Sequence, residues 1–320
     1  MNAGEMAPRP QSNWTLFSQE RFVRVFANAD GIKADAAQFP RSARTRGVIY
    51  GLVRKSSFGR RFVSLAPVGL YAHPCNYGDL AACVGAIVRD VRTFGTLGFE
   101  WNVRSDHREL ADRLMALDLS LAMSSTHVLQ IDGGYDGVFK KFNATMRNHI
   151  RRSERGGVLV RSSIERNEID AYLRIFSETV ERGTAPNAKR KRLFEDLLRL
   201  DSDVRFLVAE VNGTMVGGGW FFYDGDSMMY WHGASDRRFS RVFPACAVLW
   251  QAIRLACDAG MKTFNFGASN GIETLERFKS SWGAEKRLCW KFAWNNQLWA
   301  TASKLRKSLR LHSTTIQDGL

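Results

Sequence analysis

Closely spaced cysteines are missing from this chain of 320 residues. Its five, Cys75, Cys83, Cys246, Cys257 and Cys289, are scattered singly. That spacing excludes a disulfide framework and a clustered zinc site, and no metal ligand set is expected. Most lie within apolar stretches, so they read as buried free thiols in a reducing compartment. The opening "MNAGEMAPRP" lacks the apolar core of a secretion signal. The longest apolar stretch, "VFPACAVLWQAIRLACDAG", is interrupted by Gln251 and Arg254 and is too short to span a bilayer. A cytoplasmic protein is expected. Acid is also scarce: 46 Lys and Arg face 32 Asp and Glu, a net charge of +14. The partner this suggests is polyanionic, such as nucleic acid, a nucleotide-linked molecule or acidic lipid headgroups.

What is present suffices for real cores, with 45% hydrophobic and 12% aromatic residues. The second half alternates clearly. "VRFLVAEV" reads as a strand, Asn212-Gly213 as a hairpin turn, and "TMVGGGWFFYD" as the returning strand. "DGDS" turns into "MMYWHGAS". A helix from Pro244 to a glycine stop at Gly260 follows, then the strand "KTFNFG", the helix "IETLERFKSSWG" and a last strand "KRLCWKFAW". The three glycines Gly217 to Gly219 lie inside a strand pattern, so they read as a bulge or close backbone approach rather than a phosphate loop. The first half repeats the order helix, glycine stop, aromatic strand in "AACVGAIVRDVRTFGTLGFEWN". An α/β fold of mixed sheets flanked by helices, built by duplication, is expected.

Between the halves, "KKFNATMRNHIRRSERGG" reads as one helix from Lys140 to Gly157. Tyr135, Phe139, Phe142, Met146 and Ile150 form its apolar stripe. Arg147, Arg151 and Arg155 stack on the other side, with Lys140, Lys141 and Arg152 beside them and Glu154 the nearby acid. Like charges at this spacing repel by roughly 0.2–0.5 kcal/mol per pair. An anionic substrate in the cleft between halves would turn that repulsion into charge-assisted hydrogen bonds, with Arg147, Arg151 and Arg152 as its ligands. A merely solvated helix face is the plain alternative.

The stretch "FNATMRNHIRRSERGGVLV" resembles the linker helix of the FemAB-like aminoacyltransferases, which carry two GNAT-type acyltransferase domains in tandem. "YWHGAS", "VLWQAIRLACDAGMKTFNFGASNG" and "ETLERFKSSWGAE" resemble the second domain of that group and its GNAT acetyltransferase relatives. The likeness runs from about residue 20 to 295. It implies an extension over 1–20, a degenerate GNAT-like domain over 21–137, a basic linker helix over 138–157, a GNAT-like acyltransferase domain over 158–296, and a basic helix and tail over 297–320. It implies an N-acyltransferase without a tightly bound cofactor. The donor co-substrate would be acyl-CoA or aminoacyl-tRNA, and the acceptor an amine on an anionic molecule.

One departure stands out. The usual Gln/Arg-x-x-Gly-x-Gly/Ala loop is replaced by "SDRRFSRVFPAC", which has no glycine and offers Arg237, Arg238 and Arg241. The helix start at Pro244 still promises amide donors for an anion, but a coenzyme A cradle is not expected. Arg238 and Arg241 become candidate substrate ligands, tRNA included. Tyr230 and His232 are expected on one strand face, Tyr230 to bind substrate and His232 as a general base, or else as a hydrogen-bonded strand-end histidine. Asn265, with Gly267, falls where GNAT sheets splay, and Lys279 matches a lysine that recurs in the motif. Either side chain would steady an oxyanion, or Lys279 would be a surface residue covering Trp282. In the tail, Leu298, Ala302, Leu305 and Leu309 share a face among basic residues, which fits a membrane surface or packing on the second domain. A binding protein without catalysis, holding RNA or anionic lipid in its basic cleft, is the alternative to an enzyme.

Overall fold

The computed structural model describes residues 15–29, 34–41, 46–55, 61–66, 70–179, 188–200, 202–269 and 271–296. The tail helix expected over 297–320 lies outside them. In chain order the first elements are a 3-10 turn Leu16–Ser18, α1 Glu20–Asn28, β1 Ala34–Phe39, β2 Ile49–Lys55, β3 Arg61–Ser64, α2 Leu80–Thr93, β4 Thr96–Val103, α3 Arg108–Met115 and β5 Ser120–Gln130. The chain continues with α4 Gly134–Lys141, α5 Ala144–Arg155, β6 Leu159–Ser163, α6 Arg166–Thr179, α7 Ala188–Leu198, β7 Val204–Val211, β8 Thr214–Asp224 and β9 Ser227–Ser235. A second 3-10 turn Arg237–Val242, α8 Pro244–Asp258, β10 Thr263–Ala268, α9 Glu273–Ser280 and β11 Glu285–Asn295 complete it.

These strands form one mixed α/β sheet in the order β1-β2-β3-β4-β11-β5-β10-β9-β8-β7-β6. Its two parallel pairs are β3–β4, bridged by α2, and β9–β10, bridged by α8. Each bridging helix ends at a left-handed glycine, Gly95 (φ 68) and Gly260 (φ 66). The repeated helix, glycine stop and strand read in the sequence are therefore the same β-α-β crossover in each half. Two strands interlock across the boundary expected at 137/138. β5 pairs with β10 and β11, while β11 lies between β4 and β5.

Local chemistry explains the elements around the site. Asn212 (φ 51) and Gly213 (φ 76) make the β7–β8 hairpin turn. Gly218 allows close approach, since a Cβ there would lie 2.8 Å from Leu207 O. The single helix expected from Lys140 to Gly157 is two helices. Phe142 is extended (ψ 145), and the Asn143 side chain accepts from Met146 N at 2.8 Å, which starts α5. Asparagine competes well for that N-cap place, and Asn143 N–H also donates to Ser281 O at 2.9 Å. Val138, Phe142, Met146 and Ile150 bury into one core with α8, where the Phe142 ring meets Trp250 and Trp282 edge-on at 5.5 and 5.0 Å. Tyr135, expected in that stripe, is exposed.

Candidate active site at the splay of β9 and β10

β9 and β10 pair at Ser227–Thr263, Met228–Phe264 and Met229–Asn265, and the ladder stops there. Asn265 holds the opening. Its Oδ1 accepts from Thr126 Oγ1 on β5 and from Gly267 N at 2.8 Å, and the residue is buried. This bends β10 where its register with β5 shifts and where Gly267 is left-handed (φ 71). The splay thus falls where it was expected. Asn265 spends its oxygen on the bend, which fixes the side chain and leaves its Nδ2 as the group an oxyanion role would use.

Lys279 is not a surface lysine. It is 5% exposed, and its Nζ donates to Gly267 O at 2.7 Å and Ala268 O at 2.8 Å. Burial pulls its ammonium down to about 8, against an opposing pull from Glu276. The amine thus tethers the bent end of β10 and leaves positive charge beneath the splay at neutral pH.

Tyr230 and His232 do not share a face. The β8–β9 register slips from Trp220–His232 to Phe221–Tyr230, so Trp231 is an extra residue and the alternation inverts. Tyr230 packs in the α8 core. His232 turns to the α6–α7 side, where its Nδ1 meets the Tyr172 hydroxyl at 2.5 Å and its ring lies 4.2 Å from that of Phe176. This geometry fits the hydrogen-bonded alternative and turns His232 away from the face that carries Tyr230.

Tyr230 lines a cleft of about 260 Å³ with Gly218, Gly233, Ser235, Arg237, Ala245 and Val248. Burial pushes its phenol up to about 12, so it stays protonated and able to donate. Gly233 makes room for it, because a Cβ there would sit 2.2 Å from the phenol oxygen.

At the cleft mouth the 3-10 turn Arg237–Val242 spends its own backbone donors. Asp236 accepts from Arg238 N, Phe239 N–H donates to Asp236 O, and Phe243 N–H donates to Ser240 O. Of the amides expected at the start of α8, Ala245 N–H alone has no backbone acceptor among the described residues. Pro244 has no N–H, and Cys246 and Ala247 both donate to Phe243 O. Arg238 is also committed, gripping Asp236 with its Nη2 at 2.6 Å. Asp236 is held below the ordinary carboxylate range by that hydrogen bond. The sequence reading missed Phe243 and His149. Phe243 is left-handed (φ 51), and its ring stacks on the imidazole of His149 at 3.9 Å and 12°. A Phe-Pro pair opening a helix was the available signal.

The arginine ladder lies on α5, which packs on α8 and on the 3-10 turn. Its contacts are thus with elements of the C-terminal half. Arg147 caps α4 by donating to Phe142 O and Lys140 O. Arg151 sits 5.7 Å from the centre of the Phe139 ring, and Arg152 lies 4.8 Å from that of Phe243 while reaching Arg241 O at 3.4 Å. Arg147, Arg151, Arg152, Arg155 and Arg241 have no carboxylate partner among the described residues.

Residues 140–280 match the model of the Acetyltransferase (GNAT) domain family. The solved structure of FemX superposes with a TM-score of 0.68 at 14% identity, covering 88% of this chain and 92% of that one. L-PGS from Bacillus licheniformis gives 0.58 at 11% identity over 89% and 94%. The C-terminal domain of a protein assigned as a lysylphosphatidylglycerol synthetase, from Agrobacterium fabrum, gives 0.56 at 11% over 90% and 91%. No curated protein matches the sequence. Splay, crossover helix and family match coincide within residues 140–280, and the fold of the chain is similar to that of FemX. No described helix is long and apolar enough to cross a membrane.

Proposed function

We propose that the protein is an N-acyltransferase that moves an aminoacyl group from aminoacyl-tRNA to the amine of an anionic acceptor. The observation that carries the choice of donor is the turn ahead of α8. A coenzyme A pyrophosphate needs several free, convergent backbone N–H groups. Here the turn bonds its amides internally and presents arginines instead. Long side-chain cations suit the spaced phosphates of an RNA end. The likeness in fold to FemX, and to a neighbour named for a lysyl-bearing product, supports the same reading.

In this reading the neutral amine attacks the ester carbonyl at the splay. The C–N bond forms, the C–O bond to the ribose breaks, and the proton shed by the amine ends on the leaving oxygen. Tyr230, protonated and lining the cleft, supplies a hydrogen-bond donor, and the Lys279 charge below the splay favours the oxyanion. Orientation supplies the rest, since holding both reactants replaces a bimolecular encounter. The net charge of +14 supports an anionic acceptor.

The test is turnover. Charged tRNAs and acyl-CoAs are offered in parallel with anionic amines, and free tRNA or free thiol is followed. Acceptor-dependent tRNA release is expected. Thiol release without tRNA release would overturn the donor assignment, and release of neither would leave a binding protein.

A further inference from the structure

At the mouth of the cleft three planar groups lie against one another. The Phe243 ring is parallel to His149, and the Arg152 guanidinium sits over Phe243. Arg152 is exposed, and the two rings are half-buried. Burial and the Arg152 charge hold His149 below its ordinary value, so the imidazole is neutral at pH 7 and adds no repulsion to the stack. Beside this column stands Arg241, whose carbonyl accepts from Arg152 and which lacks a carboxylate partner among the described residues. The column is continuous with the cleft, because Ala245, two residues beyond Phe243, is part of the cleft lining.

Local preference argues against this arrangement. A bulky residue in left-handed backbone costs on the order of 1–3 kcal/mol. Phe243 also occupies the N-cap of α8 without a side-chain cap, where serine or aspartate would accept a hydrogen bond. The chain forgoes a glycine for the turn and a cap for the helix, and what it retains is an aromatic ring beside cations. Aromatic faces flanked by arginine are what single-stranded nucleic acid uses, because every base has a π-face and every linkage a charge.

We propose that the Phe243–His149 stack, with Arg152 and Arg241 beside it, is a nucleotide platform on which the donor stacks a nucleobase and pairs its phosphates while its acyl end enters the cleft. The chemistry is shared by the 3′ end of a tRNA and by the nucleotide of coenzyme A. The inference rests on reading this cleft as the donor end.

Full-length protein is titrated with a labelled, uncharged single-stranded RNA by fluorescence anisotropy, with coenzyme A as competitor. Phe243→Gly removes the ring where glycine is at ease, so its melting temperature reports an intact fold. RNA affinity should fall about five- to hundredfold, the range for one lost base–aromatic stack. Arg152→Gln with Arg241→Gln should flatten the salt dependence by about 1.4 in log–log slope, at about 0.7 per phosphate contact on a single strand. Arg277→Gln on α9, an arginine paired with Glu273, should change neither. If Phe243→Gly and the double variant bind RNA like the parent, the platform is wrong, while RNA bound elsewhere leaves the donor reading intact. If the parent binds coenzyme A but no RNA, and Phe243→Gly loses it, the platform holds and the tRNA donor falls. Binding of neither ligand overturns the platform.

Discussion

Lys279 is the residue whose surroundings make the sharpest demand. Its folded value, about 8, lies below the ordinary 10.5, so between these the unfolded chain binds more protons than the folded one. Stability should therefore rise with pH across that window, by up to about 3 kcal/mol from this group. Urea melts at pH 7.5 and 10 test this against Lys279→Met, which lacks the rise and loses the donor to Gly267 O and Ala268 O. If the two proteins show the same pH trend, Lys279 is not titrating as its burial requires. His232 makes the opposite demand. Its bond to Tyr172 is structural, so His232→Phe should cost about 1–3 kcal/mol of stability through the lost hydrogen bond to the buried Tyr172. Turnover at saturating substrate should be unchanged, and a large fall in kcat with normal melting would restore it as a base. Why was this not legible? Trp231 and His232 are ordinary strand residues in sequence, and one extra residue in β9 suffices to send the next side chain through the sheet.

At the scale of elements, α5 shows how local repulsion is tolerated. Carbonyls at the end of α4 and aromatic faces occupy the guanidiniums in place of acids. Arg151→Glu would place an acid one turn from both Arg147 and Arg155, gaining a few tenths of a kcal/mol. The free protein should melt equal or higher, yet RNA affinity should fall, because an exposed cation on the helix that carries His149 and Arg152 has reversed sign. Thermal melting with a parallel titration checks both halves, and tight RNA binding by this variant would remove Arg151 from the donor surface. The meander β7–β8–β9 was readable because alternation and the Asn212-Gly213 turn act within a few residues. The break at Asn143 was readable in principle, since asparagine is a strong cap, but the apolar spacing on both sides concealed it. Short strands such as β6, with mostly exposed side chains, carry little periodic signal.

For the whole molecule, the interlocking of β5 and β11 was not legible. Strand order depends on which distant edges meet, and neither strand's own residues encode its neighbours. The GNAT-like crossovers were legible because each is a contiguous β-α-β segment. This interlocking has a consequence for synthesis. A ribosome delivers β4 and β5 long before β11, the strand that joins them, so the early half waits with two open edges. β11 contributes Trp290 and Phe292 to the core under α2 and α3, so that core too stays incomplete until β11 emerges. Residues 1–137 expressed alone should therefore aggregate or remain protease-sensitive, and co-expression with residues 138–320 should rescue them as a complex. A soluble, protease-resistant 1–137 fragment would show that the early half matures without its last strand. For nascent chains the practical result is an extended dependence on chaperones, ended by the emergence of β11 rather than by the first domain-sized length.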